Sequence, residues 1–335
     1  MPDAWTLSDP RAATDGAFPQ DAPAEEQLRY MLNHAVLAPS VLNTQPWRFV
    51  VEGPEVRLFA DRTRQLRAVD PLGRGLAVSC GAALATLRLA ARHYGYSAPC
   101  TLLPDAGDPD VLARLRLGPP EPASADEDAL FRVVARRRTE HRPFGADPVA
   151  PGVLAALRRE AEQQGARLVA FEAEDQKAAL ARLVAEAVHA QGVDPEQRDE
   201  LAAWLRRDGD PRPDGVPDAE QDPGGRHTGG RVPAEAHAAA MERLVAEAPV
   251  VLVVTSRTDD ARGWLTAGQA LQRVLLRATL AGLSASFLNP AVEVDAVRER
   301  LAGLVGGECP QVVLRMGLPV PRGGTPRRRP SDVSS

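Results

Sequence analysis

The feature that most constrains the fold is an ungapped internal repeat. Residues 81–91 read GAALATLRLAA and align with residues 268–278, which read GQALQRVLLRA; a glycine follows each run, at Gly95 and at Gly282. Both runs have the apolar periodicity of a helix, and the glycine suits the left-handed position at a helix end. Small residues at the start of each run would let two such helices approach closely. The repeat therefore predicts a chain built from two related halves.

A second, shorter match lies downstream of each repeat helix. Residues 115–120 read LRLGPP and residues 314–319 read LRMGLP, in each case a β-like run followed by a turn. A proline-rich linker at 118–122 and an acidic run at 126–128 mark the boundary between the halves. We therefore predict an N-terminal tail that is partly disordered, then a first half and a second half. Their predicted bounds are 1–24, 25–122 and 123–330.

Each predicted half combines helices with short strands. The predicted helices span 25–37, 74–94, 151–164 and 175–190. The predicted strands span 47–52, 55–60, 111–117, 167–171 and 250–254. These patterns predict an α+β fold, a tandem pair of helix-rich halves around small antiparallel or mixed sheets.

A polar loop in the first half is the strongest sign of function. Residues 38–47 read APSVLNTQPW, so that two prolines flank Ser40, Asn43 and Gln45. The prolines restrict the backbone and end the preceding helix, while the polar side chains offer both donors and acceptors. Such a loop suits a flat heterocyclic ligand. The alternative is structural, because turns of this composition are common between a helix and a hairpin.

Two arginine clusters lie far from this loop in sequence. Residues 136–141 read RRRTEH, and residues 327–329 read RRR. Arginines beside a hydroxyl satisfy a phosphate dianion through charge-assisted, bidentate hydrogen bonds, and both clusters could contribute to one phosphate site. The alternatives are a solvated helix end for the first cluster, where cations favour the helix dipole, and a disordered basic tail for the second.

The second half also carries an insertion, predicted over 191–234. Its centre, 208–231, is crowded with glycine, proline and aspartate, a composition typical of long or mobile loops. We predict that this insertion is a lid, and that it stands where the second half would need a counterpart of the polar loop.

Composition argues against several classes of function. The formal net charge of −5 argues against a nucleic-acid partner, and no apolar run is long enough to span a membrane. The first 25 residues lack the apolar core of a secretory signal, so we expect a cytoplasmic protein. The six histidines show no metal-ligand spacing, and the chain has neither a Walker loop nor a Gly-x-Gly-x-x-Gly motif. We expect no metal site.

Together these motifs resemble the nitroreductase superfamily of FMN proteins. The resemblance rests on the loop at 38–47, the run RRTEH at 137–141 and the arginine-rich tail after Gly317, and it covers roughly residues 25–330. The fused, lysine-poor organisation is similar to the Acg-type branch. Members of the superfamily are usually homodimers of α+β subunits with flavin sites at the interface. The resemblance implies that two subunits are joined here in one chain, so we expect a monomer.

The resemblance further implies one FMN site per chain, at the interface of the two halves. The polar loop would come from the first half and the basic residues from the second, with His141 where a second basic residue is expected and Arg142 as its substitute. A backbone N–H would face the flavin after the second repeat helix; because Pro290 lacks that donor, Asn289 or Ala291 would supply it. The expected cofactor-binding residues are Pro39, Ser40, Asn43, Gln45, Arg137, Arg138, Thr139, His141, Leu288, Asn289, Arg327, Arg328 and Arg329.

The function implied is that of an FMN-dependent oxidoreductase of nitroreductase type. Hydride would pass from NAD(P)H, a transient donor, through the flavin to a small flat acceptor, so that no side chain need act as a catalytic acid or base. Two alternatives stay open. One is a flavin-dependent oxidase or dehydrogenase of a secondary metabolite, and the other is a flavin-sequestering protein whose lid covers the ring and prevents turnover.

Overall fold

A computed structural model describes residues 7, 9–207, 209–217, 232–319 and 327–334. Its α-helices are α1 (Ala24–Ala35), α2 (Arg74–His93), α3 (Ala125–Arg132), α4 (Pro151–Gln163), α5 (Glu174–Val193), α6 (Pro195–Ala203), α7 (Ala234–Ala246), α8 (Ala261–Leu280), α9 (Pro290–Glu293) and α10 (Asp295–Leu304). Its strands are β1 (Trp47–Glu52), β2 (Glu55–Ala60), β3 (Cys100–Leu102), β4 (Val111–Arg116), β5 (Arg167–Phe171), β6 (Leu205–Arg206), β7 (Val216–Pro217), β8 (Val250–Ser256), β9 (Ser284–Phe287) and β10 (Cys309–Gly317). In these ranges no helix is both long and apolar enough to cross a membrane.

Two four-stranded sheets have the same topology. The strand order is β1-β2-β4-β3 in the first sheet and β5-β8-β10-β9 in the second, and all neighbouring strands are antiparallel. In each sheet a long helix, α2 or α8, follows the second strand of the sheet along the chain. The α+β fold with small antiparallel sheets is thus confirmed. The matching topologies support the duplication that the sequence repeat indicates.

The two repeat helices pack against each other at their glycines. A Cβ atom on Gly81 would collide with the carbonyl oxygen of Leu265, and one on Gly268 would collide with that of Val78. Two backbones can approach this closely because glycine has no side chain at the crossing point. The contact between α2 and α8 therefore joins the two halves, in agreement with the small residues seen in the repeat.

The ends of the two repeat helices also match the sequence prediction. Gly95 and Gly282 have φ values of 90° and 78°, the left-handed conformation expected after a helix. Trp47 and Phe49, predicted to be core residues at alternating positions of a strand, are fully buried in β1. Local sequence patterns thus determine both the helix ends and the inward face of the first sheet.

The N-terminal segment is packed against the first half from residue 9 onward. Phe18 stacks on Tyr94 with ring centroids 3.8 Å apart, and the Tyr30 hydroxyl donates a hydrogen bond to the Thr14 carbonyl oxygen at 2.7 Å. The prediction of a partly disordered tail therefore does not describe residues 9–24, because their aromatic and backbone groups find partners on α1 and α2.

The insertion lies in the hairpin of the second sheet. In the first sheet Gly53 and Pro54 connect β1 to β2, whereas residues 172–249 connect β5 to β8 and include α5, α6, α7 and the small parallel pair β6–β7. The position equivalent to the polar loop, between α4 and β5, is a turn of residues 164–166. The prediction that the insertion occupies the place of a second polar loop is therefore wrong.

Candidate functional site

A cavity lies between the two halves, beneath the helices of the lid segment, which we define as residues 191–234. Its empty space, including the open mouth, is about 1560 Å³. The structure brings together here the predicted residues Pro39, Ser40, Asn43, Thr139, His141, Asn289 and Arg327. The cavity wall thus combines the polar loop of the first half with three separate segments of the second.

The polar loop approaches the cavity with an unusual backbone. Leu42, Asn43 and Gln45 have φ values of 45°, 55° and 51°, a conformation that side chains other than glycine rarely adopt. Such residues cost on the order of 1–3 kcal/mol each and persist where the surroundings fix them. The Ser40 hydroxyl does so in part, since its Oγ accepts a hydrogen bond from the Gln45 N–H at 2.9 Å. Local strain of this kind is common at functional sites.

Gln45 lies behind the cavity wall and connects the loop to two distant segments. Its Nε2 donates to the Pro213 carbonyl oxygen at 2.8 Å, and its Oε1 accepts from the Arg328 N–H at 2.9 Å. The Arg328 guanidinium donates to the Gln45 carbonyl oxygen at 3.2 Å. Arg329 is exposed, and its N–H donates to Asp332 Oδ2 at 3.1 Å. Of the three tail arginines, only Arg327 lines the cavity.

The lid segment docks directly on the polar loop. Asn43 Nδ2 donates to the Gly215 carbonyl oxygen at 3.1 Å, and the Gly215 N–H donates to the Asn43 carbonyl oxygen at 3.3 Å. Beside this contact, Asp214 pairs with Arg206 at 2.8 Å and with Arg64 of the first half. These bonds hold residues 213–215 over one side of the cavity.

Arg137 is a buried cation with few partners, and it is not among the residues that line the cavity. Its side chain is 4% exposed, and its one described hydrogen bond runs from Nη2 to the Leu37 carbonyl oxygen at 3.5 Å. Its Nε has no acceptor among the described residues. Burial lowers the pKa of Arg137 to about 9, and the nearby charges of Arg138 and Arg11 act in the same direction. An anion would relieve both the missing hydrogen bonds and the repulsion.

The segment around Thr139 is fixed on the second sheet. Thr139 forms a parallel bridge with Ala285, next to which the Glu140 N–H donates to the Ala285 carbonyl oxygen at 2.9 Å. Arg138 donates to the Ala135 carbonyl oxygen at 2.7 Å, so its guanidinium caps the turn that follows α3. Arg138 is not among the residues that line the cavity.

Arg315 on β10 supports this segment from below, a role that we did not predict. It is fully buried, and its Nη2 donates to the carbonyl oxygens of His141 and Arg142 at 3.0 and 2.8 Å. Its guanidinium lies 4.5 Å from the ring centroid of Phe144. Arg315 aligns with Arg116 of the first short repeat. Because Arg116 is exposed, the repeat alone did not indicate that Arg315 would be buried.

The connection between β9 and α9 separates the two predicted residues Leu288 and Asn289. Leu288 is buried in the core, and its N–H donates to the Val313 carbonyl oxygen at 2.8 Å. Asn289 lines the cavity. The Ala291 N–H donates to the Leu288 carbonyl oxygen at 3.4 Å, whereas no described residue accepts a hydrogen bond from the Asn289 N–H. Asn289 is therefore the better placed of the two predicted backbone donors.

Glu293 is a further polar group on the cavity wall, and no motif in the sequence pointed to it. It ends α9, and its Oε2 accepts a hydrogen bond from Gln191 Nε2 of α5 at 2.9 Å. Burial raises the pKa of Glu293 to about 7, although Gln191 and the charge of Arg74 act in the opposite direction. In the described ranges, no group of His, Cys, Asp and Glu side chains is arranged to hold a metal ion.

Known proteins with similar sequences align over almost the whole chain. The model of the Nitroreductase family matches residues 17–70 and 134–318. The Mycobacterium tuberculosis protein named "Putative NAD(P)H nitroreductase Rv3131" is 35% identical over 338 aligned positions, which cover 96% of either chain. The protein of the same species named "Putative NAD(P)H nitroreductase acg" is 31% identical over 309 positions, which cover 89% of this chain and 92% of the relative.

Solved structures show a weaker likeness. The FMN-dependent nitroreductase NfnB from Mycobacterium smegmatis, in complex with NADPH, is 15% identical, with a TM-score of 0.36, and the match covers 58% of this chain and 94% of that one. The family match and the two relatives that align over most of this chain establish its membership. The chain belongs to the nitroreductase family of oxidoreductases.

Proposed function

We propose that the chain binds one FMN in the cavity between its halves and passes hydride from a nicotinamide donor to a small, flat acceptor. The observation that carries this proposal is the convergence of Ser40 and Asn43 from the first half with Thr139, Asn289 and Arg327 from the second on one cavity. The names of the mycobacterial relatives, which describe NAD(P)H nitroreductases, support the same class of donor.

The buried cation Arg137, two residues before Thr139 of the cavity wall, would suit a phosphate group. Arg137 has an Nε without a described acceptor and a guanidinium in a low-dielectric site. Together with Thr139 and Arg327 it would hold the phosphate of FMN by charge-assisted hydrogen bonds. FMN, when bound, would supply the two-electron chemistry of the reaction. The protein would position the reactants and exclude water around them.

The ring of the cofactor would lie on the polar loop. Ser40 and Asn43 provide polar groups at the cavity wall, and the Asn289 N–H is an available donor on the opposite half. Four other predicted residues would act indirectly. Gln45 holds the loop, Arg138 the turn after α3 and Arg328 the tail, and Leu288 packs in the core. We propose one site per chain, since the turn at 164–166 provides no second polar loop.

The colour and flavin content of the purified protein test this function. We expect one FMN per chain to be released on denaturation, and we expect NADH or NADPH to bleach the bound flavin under anaerobic conditions. Turnover of a quinone or a nitroarene should follow. Two flavins per chain would contradict the single site, and a flavin that neither nucleotide bleaches would contradict the oxidoreductase. Light scattering after size exclusion tests the expected monomer.

Docking of the lid segment supports a second candidate, a flavin-sequestering protein. The hydrogen bonds between Asn43 and Gly215, and the pairing of Asp214 with Arg64, close one side of the cavity. A variant that lacks residues 208–231 distinguishes the two functions. Reductase activity that appears only after the deletion would indicate an occluding lid, whereas loss of an existing activity would mean that the lid forms part of the substrate pocket.

A further inference from the structure

Glu293 places a carboxyl group on the cavity wall, where its side chain is partly exposed. The same wall includes the apolar side chains Val188, Met241 and Phe287. Gln191 donates a hydrogen bond to Oε2, but no described residue donates one to Oε1. An acceptor that no protein group satisfies is available to a ligand that supplies a donor.

The charged groups around Glu293 do not neutralise it by direct pairing. Arg74 of α2 attracts the ionised carboxyl, but its guanidinium donates to the carbonyl oxygens of Gln311, at 3.1 Å, and Val292. Asp70, which precedes α2, opposes ionisation from the same side. The other charged or titratable side chains that line the cavity are His141, Arg198, His237 and Arg327.

We propose that Glu293 determines ligand specificity in this cavity, by accepting a hydrogen bond from a small flat ligand with an amine or amide N–H group and by disfavouring ligands with a carboxylate. The inference rests on the proposed function, because this ligand is the acceptor that would share the cavity with the cofactor. A site whose acceptor only a ligand can satisfy discriminates against a ligand that lacks the matching donor.

The discrimination should depend on pH. Burial raises the pKa of Glu293 to about 7, so the carboxyl is mostly neutral at pH 6 and mostly ionised at pH 8. A cationic ligand should therefore bind more tightly as the pH rises through 7, and an anionic ligand should bind more weakly. The direction follows from the charge that Glu293 acquires.

Two probes with the same nitrophenyl ring and opposite charge test the proposal without turnover. The affinities of 4-nitrobenzylamine and 4-nitrobenzoate are measured by calorimetric titration of the purified protein, with the cofactor that it retains, at pH 6 and at pH 8. We expect the amine-to-carboxylate affinity ratio to rise at least tenfold between the two pH values. In E293Q the ratio should stay nearly constant, and in the surface variant E299Q it should change as in the unmodified protein.

A second variant protects the test against misfolding of the first. Q191M removes the hydrogen bond that lowers the pKa of Glu293, so the midpoint of the pH dependence should move to a higher pH. An unchanged ratio in E293Q, an unchanged midpoint in Q191M, or a failure of both probes to bind would overturn the proposal. Flavin content is measured on the same samples. Charge discrimination without bound flavin would therefore reject the proposed function and keep this inference, and bound flavin without discrimination would do the reverse.

Discussion

The two halves share a sheet topology but differ in how many faces of the sheet are covered. In the first sheet, β1 alternates buried residues with partly or fully exposed ones, as expected for a sheet packed on one face. In the second sheet, β8 is buried along its whole length. Leu252 and Val254 face the core beneath α4 and α8, while Val251 and Val253 face the core formed with α5 and α7.

The difference lies in two connections. In the first half the α1–β1 connection is long, residues 36–46, and carries the polar loop. In the second half the equivalent connection is only 164–166, while the hairpin connection is long, residues 172–249. The shared topology preserves the contact between α2 and α8. The unequal connections provide one cavity with a loop from one half and a covering segment from the other. Two sheets of the same topology thus contribute different elements to one cavity.

The contact at which the halves are equivalent gives the largest expected effect. G81A and G268A each place a Cβ against a backbone carbonyl of the opposite helix. Each should lower the free energy of unfolding by about 3 kcal/mol, the upper range for overpacking. Urea denaturation measures it. G303A on α10, where a Cβ meets no atom within 4 Å, is the control and should be neutral or slightly stabilising. Unequal effects of the first two variants would break the equivalence of the halves.

Arg137 tests the asymmetry of the site. R137M should weaken FMN binding about hundredfold, because a charge-assisted hydrogen-bond partner is lost, while R136M, at an exposed neighbour, should not.

In the protein without FMN, the same substitution should stabilise the fold. The folded-state pKa of about 9 is below the usual value, so burial of the charge destabilises the fold fully below pH 9, and stability should increase as the pH rises above 9. Apo R137M should therefore be the more stable protein at pH 7, as thermal melting can show.

A matched pair of arginines compares the two short repeats. Arg315 is buried and donates to the carbonyl oxygens of residues 141 and 142, whereas its counterpart Arg116 is exposed and pairs with Glu55 at 3.3 Å. R315M should lower the free energy of unfolding by about 2 kcal/mol through the unsatisfied carbonyls, while R116M should change it by less than about 0.5 kcal/mol. Equal effects would mean that the segment after α3 does not depend on β10.

The ion pair that docks the lid segment should give the smallest effect. D214N weakens the pairing with Arg64 of the first half and with Arg206 of the lid segment itself. We expect the bound flavin to dissociate roughly fivefold faster, because partly buried pairs contribute about 1 kcal/mol. D210N, which affects a pair with Arg212 on the same segment, is the control. Stopped-flow fluorescence measures both rates, and equal rates in the two variants would show that Asp214 does not close the cavity.

Much of the fold could be predicted because it depends on local periodicity. The strands β1, β2 and β5 begin and end at the predicted residues, and both repeat helices end before the predicted glycines. Apolar alternation and helix-end glycines act within a few residues, so a sequence pattern is sufficient to place them.

The parts that could not be predicted depend on contacts between distant segments. Gln45 is one polar residue in a polar loop, and nothing in its neighbourhood shows that its amide binds Pro213 and Arg328 instead of facing the cavity. Glu293 resembles an ordinary helix residue until the fold places it on the cavity wall beside Gln191. The insertion was assigned to the wrong connection, since the equivalence of connections becomes visible only in the strand order.

The contact between Gly81 and Gly268 has a consequence for how this chain can change. In a symmetric dimer, a residue on the two-fold axis meets its own copy, so that any substitution adds its atoms on both sides at once. Here the two glycines are separate positions, and a substitution at one adds a single methyl group to the crossing. The opposite helix can then adjust with a change of its own. In a single chain the two positions can therefore be substituted one after the other, whereas in a symmetric dimer both copies change together.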